Sequence, residues 1–193
     1  GHAAVLALPR GGVPVAAEIC RAHHLPLDLI LVRKIGAPYQ PELAVGAIVD
    51  GEAPSVFVNE AIAEALRLSH DDVERQGKAL LPEIERRRAL YLGERAPLDL
   101  TGKTAIVVDD GVATGASLRA ALGAVRARDP ARIVVALPVG PRDTVEALKQ
   151  QVDEVVCLAT PPDFQAVGAH YRRFPQCSDE TVSELVAACN QPK

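Results

Sequence analysis

Five almost wholly apolar runs, separated by segments of helical periodicity, set the strongest limit on how this chain folds. They are AAVLAL (3–8), LDLILV (27–32), TAIVVD (104–109), RIVVALPV (132–139) and DEVVCLA (153–159). Between them, VPVAAEICRAHH (13–24) repeats Val15, Ile19 and Cys20 at helical spacing, and residues 117–128 align Leu118, Ala121, Leu122 and Val125. DTVEALKQQ (143–151) reads as a further helix. A strand that is apolar on both faces must be covered on both, which predicts an α/β fold with a mostly parallel central sheet flanked by helices. Right-handed crossovers then carry every strand-to-helix loop to one edge of the sheet, where ligands bind in such folds.

The intervening residues are less regular. LDLILV is expected to end in Arg33 and Lys34 and to lead into IGAPYQPE (35–42), whose breakers suggest a mobile loop. LAVGAIV and SVFVN form an expected strand pair about the turn at Asp50–Gly51. From about 60 to 92 the pattern is helical, with Val73, Leu80, Leu81, Ile84 and Tyr91 on one stripe and EIERRR on the solvated outer face. A loop follows residue 159, and a last helix is expected near 179–189. The three chemically unusual loops, 9–14, 33–42 and 109–117, should converge at the sheet's carboxyl edge.

A net charge of −4 gives no global field for nucleic acid or an anionic membrane, so any phosphate must be held locally. No run approaches the roughly 18 apolar residues of a membrane span. The four cysteines lack metal-like spacing, and a reduced cytoplasm is the simplest setting. The chain opens Gly1–His2 without a methionine, and its natural start is expected upstream.

The stretch AIVVDDGVATGAS (105–117) carries the chemistry. Gly111, Val112, Ala113, Thr114, Gly115, Ala116 and Ser117 form a loop of mostly small residues running into a helix. Bare backbone there can aim several N–H groups at one point, reinforced by the helix dipole. Neither the Gly-Lys-Ser/Thr ending of nucleoside-triphosphate loops nor the GxGxxG dinucleotide fingerprint is present. Asp109 and Asp110 would repel a phosphate, but they can accept hydrogen bonds from vicinal hydroxyls. A ribose 5-phosphate unit satisfies both halves. A lone acidic pair at a strand end is more often an ordinary turn cap; the full string is not.

VVDDGVATGAS resembles the phosphoribosyl-pyrophosphate signature of type I phosphoribosyltransferases, and LALPRGGVPVAAEI, LDLILVRKIGAP, ELAVGAI and DFQAVGAHY resemble a bacterial phosphoribosyltransferase-like group. The resemblance implies a core over 3–158 with a helical insertion at about 60–92, and a C-terminal hood and helix segment over 159–193. It implies transfer of ribose 5-phosphate from 5-phosphoribosyl 1-pyrophosphate to a nitrogenous acceptor, with release of pyrophosphate. Mg²⁺ would be held mainly by the substrate's oxygens, with Asp109 and Asp110 as candidate contacts. By the same resemblance, Pro9–Arg10–Gly11–Gly12 is the pyrophosphate loop, often built on a non-proline cis peptide. Lys34, and less so Arg33, would meet the leaving group. Glu42 is a candidate for a Mg²⁺-bound water, with a solvated loop acid as the plainer reading.

Ala113 stands where family members acting on 6-oxopurines carry an acid, which disfavours those acceptors and points to another nucleobase. Phe164 is the residue expected to stack on the acceptor, with core packing as its alternative role, and His170 is a candidate polariser. A homodimer is compatible with the resemblance; nucleic-acid and membrane partners are not expected. Two other readings are a binding module that senses phosphoribosyl pyrophosphate without turnover, and a receiver-type signalling domain. The second needs its acids after the first strand, whereas here they follow a late one.

Overall fold

The computed structural model describes residues 2–51 and 54–191, apart from the side chain of Glu42. Strands β1 (Ala3–Ala7), β2 (Leu27–Leu29), β6 (Thr104–Val108), β7 (Arg132–Val139) and β8 (Glu154–Ala159) form a parallel sheet in the order β2-β1-β6-β7-β8. Between β2 and β6 the chain adds β3 (Val32–Ala37), β4 (Gln40–Val49) and β5 (Ser55–Val58), a separate antiparallel sheet. Helix α1 (Gly12–His23) links β1 to β2, α5 (Ala116–Arg126) links β6 to β7, and α6 (Arg142–Lys149) links β7 to β8.

Alternation along the strands decides which helices go where. Leu6, Val107, Val135 and Leu137 face Leu118, Ala121, Leu122 and Val125 of α5. Val5, Ala7, Leu29 and Val108 face the opposite side, with Val13, Ala16 and Cys20 of α1 and Val182 and Val186 of α7 (Asp179–Cys189). Each fully buried Leu or Val contributes about 1.5–3 kcal/mol relative to exposure. The crossover order reverses between β1 and β6. From β1 the chain moves to β2, and from β6 it moves to β7 on the other side. The crevice outside that reversal is the expected ligand position in an open parallel sheet.

LDLILV is not one strand. It breaks at Ile30–Leu31 because Asp50 Oδ1 takes the Leu31 N–H at 2.8 Å, and Arg33 and Lys34 continue into the second sheet. Residues 35–42 are likewise a hairpin rather than a bare loop. Pro38 and Tyr39 make its turn, and the missing Gly36 side chain lets the Pro41 carbonyl approach, since a Cβ would lie 2.6 Å from it. The expected strand pair around Asp50–Gly51 is β4 and β5, antiparallel.

The helical insertion divides into α2 (Glu60–Ala65), α3 (His70–Lys78) and α4 (Leu81–Leu92). Ser69 and Asp72 begin α3 with a reciprocal capping box, which is why α3 starts afresh after the turn. Val73, Ile84 and Tyr91 are buried as the stripe predicts, with Leu80 and Leu81 packed at its margin. Arg88 departs from the solvated face: it turns inward and meets Asp50 at 2.6 Å. Asp28, inside the apolar second run, is buried but satisfied, accepting the Leu29 and Leu98 N–H groups at 2.9 Å each.

Candidate active site

Two of the three unusual loops meet at the reversal point. Ala7 pairs with Val108, and Leu8 N–H donates to Val108 C=O at 3.0 Å, so 9–12 and 109–115 leave the sheet side by side. The Pro9–Arg10 peptide is cis. Gly11 and Gly12 are required by the closeness of the acidic pair. A Cβ on Gly11 would lie 1.8 Å from Asp110 Oδ2, and one on Gly12 would lie 2.7 Å from Val108 C=O and 3.3 Å from Asp109 Oδ1.

Asp109 Oδ1 accepts the Asp110 N–H at 2.9 Å. Burial, and secondarily the Asp110 charge, push the Asp109 carboxyl up to about 8 against that hydrogen bond. Burial also raises Asp110. Among the described residues neither carboxylate has a cationic partner within ion-pair distance. Two adjacent, partly desolvated acids without a counter-ion are poised for donors or a cation from a ligand.

Beyond them the loop separates its carbonyls from its amides. Tyr171 Oη donates to Asp110 C=O at 2.5 Å, Thr144 Oγ1 to Ala113 C=O at 2.9 Å, Arg119 Nη2 to Thr114 C=O at 2.7 Å, and Arg119 N–H to Gly115 C=O at 2.8 Å. Val112 N–H is used by Val139 C=O at 3.0 Å. Among the described residues, the N–H groups of Thr114, Gly115, Ala116 and Ser117 have no acceptor. Gly115 caps α5 at φ +78, a left-handed conformation that suits glycine. These amides stand at the amino end of α5, where an anion is favoured.

The cradle opens on a cleft of about 720 Å³ between α5 and the second sheet. Thr114, Ala116 and Ser117 line one wall, and Lys34, Phe57 and Asn59 the other. Lys34 is exposed, whereas Arg33 lies opposite Ile48 half-buried and does not line the cleft. The third unusual segment therefore comes alongside the cradle from the second sheet, not as a loop leaving the parallel one. A separate cavity of about 370 Å³ lies by Asp50, Arg88 and Arg128, but those charges pair among themselves and with Asp28.

Arg10 belongs to the β1 loop, yet its Nη1 lies 3.5 Å from Asp179 Oδ1. Phe164 stacks on His170 at 5.4 Å, so one face of its ring is already covered. Val112 is buried and Ala113 exposed. A Cβ on Gly111 would lie 2.7 Å from Val167, which ties the hood closely to the acidic pair. Glu42's side chain lies outside the described residues. No group of three or more His, Cys, Asp or Glu gathers to hold a metal among the described residues. No described helix is long and apolar enough to cross a membrane.

The residues that sequence reasoning missed are the ones that hold the loop: Thr144, Arg119 and Tyr171. Only Tyr171 left a trace, as one of three aromatics close together after β8.

The phosphoribosyl transferase domain model matches residues 2–172. A Mycobacterium tuberculosis protein provisionally named a phosphoribosyl transferase is 45% identical over 178 residues, 92% of this chain. The chain spans 40% of that protein's length. The bifunctional protein PyrR of Chloroflexus aurantiacus is 34% identical over 131 residues, 66% of this chain and 65% of that protein. The crystal structure of TT1426 from Thermus thermophilus superposes with a TM-score of 0.82 at 41% identity, covering 97% of this chain and 88% of the other.

Proposed function

Because the chain belongs to the phosphoribosyl transferase domain family, we propose that it transfers ribose 5-phosphate from 5-phosphoribosyl 1-pyrophosphate to a nitrogenous acceptor, releasing pyrophosphate. The observation that carries this reading is the juxtaposition, at one strand reversal, of two carboxylates without a cationic partner and an amide cradle without acceptors, among the described residues. The free N–H groups of Thr114 to Ser117 hold the 5-phosphate, aided by the α5 dipole. Asp109 and Asp110 accept hydrogen bonds from the ribose 2- and 3-hydroxyls. Donors and a nearby cation favour the ionised pair, drawing both acids back from their raised values.

Gly11 and Gly12 let backbone approach the diphosphate, and Arg10 and Lys34 supply charge against the negative charge that grows on it. The bond from C1 to the diphosphate oxygen breaks, its electron pair leaving with pyrophosphate, as the lone pair of the acceptor nitrogen bonds to C1; the proton of an N–H acceptor passes to the departing pyrophosphate. When bound, Mg²⁺ would supply further positive charge to the diphosphate, and the adjacent carboxylates of Asp109 and Asp110, which lack a cationic partner among the described residues, would help to hold it as a hydrated ion. Closure of the β3–β4 hairpin, whose Lys34 lines the cleft, shields the site from water. Ala113 offers no acid to a 6-oxopurine, so the acceptor is proposed to be a different nucleobase. The hood, tied to Asp110 through Tyr171, supplies that side of the site.

The test is pyrophosphate release from phosphoribosyl pyrophosphate and Mg²⁺ across a panel of bases and amines. One acceptor class should give release in step with formation of its N-linked ribose 5-phosphate product. Silence across the panel with binding retained would replace transfer by binding alone.

A further inference from the structure

Arg10 is placed by the β1 loop but held by a different part of the molecule. Its partner, Asp179, sits in the first turn of α7, where Oδ1 also accepts the Tyr91 hydroxyl of α4 at 2.5 Å. Tyr91 is buried, and Ser183 Oγ donates to Leu90 C=O at 3.1 Å, so the α4–α7 contact is braced twice. The Tyr91 hydrogen bond, then the Arg10 and Arg87 charges, keep the Asp179 carboxyl below its ordinary range and ionised at neutral pH. Asp179 is therefore the fixed member of the pair. Arg10 is the movable one: it offers one nitrogen at 3.5 Å, and both side chains are about a third exposed, 33% and 36%.

We propose that Asp179, braced by Tyr91, is a positioning residue that holds the Arg10 guanidinium aside and competes with the diphosphate for it. This rests on reading Pro9 to Gly12 as the diphosphate loop. A partly exposed pair with a single contact is weak, whereas a diphosphate presents several charged oxygens to the planar guanidinium. Arg10 moves to the ligand when it arrives and returns to Asp179 when it leaves. The competition lowers affinity for the diphosphate group in substrate and released product alike, and so favours product departure. A purely structural salt bridge has the opposite consequence, since breaking it would loosen the loop and weaken binding.

Inorganic pyrophosphate with Mg²⁺ is the probe, titrated calorimetrically into the parent protein, Asp179→Asn, Arg10→Met and the double variant. Asparagine keeps an acceptor for Tyr91, and Asp179→Ser serves as a second replacement should the first not fold. Loss of the competing charge should tighten pyrophosphate binding about twofold to fivefold, and the same substitution should change nothing in the Arg10→Met background. Unchanged or weaker binding by Asp179→Asn, or an equal effect without Arg10, overturns the proposal alone. Failure of the parent to bind pyrophosphate overturns the diphosphate-loop reading, and this proposal with it.

Discussion

Replacing Asp109 by asparagine should stabilise the unliganded protein while removing its ligand. Asparagine keeps the shape and can still accept the Asp110 N–H that Asp109 takes at 2.9 Å. What it removes is the cost of ionising a buried acid beside a second acid. Burial and the neighbouring Asp110 charge push the folded value from the ordinary 3.8 up to about 8, and each tenfold change in proton affinity corresponds to about 1.4 kcal/mol. Because the folded value is raised, the folded state retains a proton that the unfolded chain gives up. Its stabilising effect is complete below about pH 4 and is lost progressively as pH rises toward 8. Between pH 5 and pH 8 the parent should therefore lose about 3–4 kcal/mol relative to Asp109→Asn, with relaxation and water entry making this an upper figure. Urea denaturation of both proteins at pH 5, 6, 7 and 8 measures the difference directly. Parallel stability curves across that range would refute the reasoning, because they would mean that Asp109 titrates as a solvated carboxyl.

Lys34→Ala should leave stability within about 0.5 kcal/mol but raise KM for phosphoribosyl pyrophosphate about tenfold; steady-state kinetics with an unchanged KM would remove Lys34 from ligand contact. Gly115→Ala forces a side chain into φ +78 and against Arg119, with a Cβ 2.7 Å from Nη1. It should cost about 1–2 kcal/mol and weaken ribose 5-phosphate binding, as read by thermal melting and calorimetry. Tyr171→Phe deletes the hydroxyl that Asp110 C=O accepts at 2.5 Å, which should cost about 1 kcal/mol and speed hydrogen exchange in the hood. Unaltered exchange would show that the hood is held by other contacts.

Much of the parallel sheet is legible because β1, β6 and β7 each present consecutive apolar residues to two covered faces; β8, equally apolar and expected to be covered on both faces, lies at the sheet edge with Val155 and Cys157 packed inward and Val156 and Leu158 exposed. The acidic pair and amide loop of the candidate site are legible for a different reason: adjacent acids followed by nearly bare backbone stand out in the sequence as AIVVDDGVATGAS (105–117). The break at Ile30–Leu31 is hidden because both sides of it are equally apolar, and the residue that turns the chain, Asp50, lies far along the sequence. The hairpin over 35–42 is hidden by its glycine and proline, which here serve a close backbone approach and a turn. Thr144, Arg119 and Tyr171 act on the cradle through contacts formed only when distant elements fold together. Arg88 shows the same limit, since its charged helix face gives no sign that Asp50 will draw it inward.

A crystal structure of the protein soaked with ribose 5-phosphate tests the central claim most directly. The phosphate should rest on the N–H groups of Thr114 to Ser117, with the 2- and 3-hydroxyls donating to Asp109 and Asp110. A sugar phosphate bound with the carboxylates facing elsewhere, or with its phosphate away from the amino end of α5, would contradict the account.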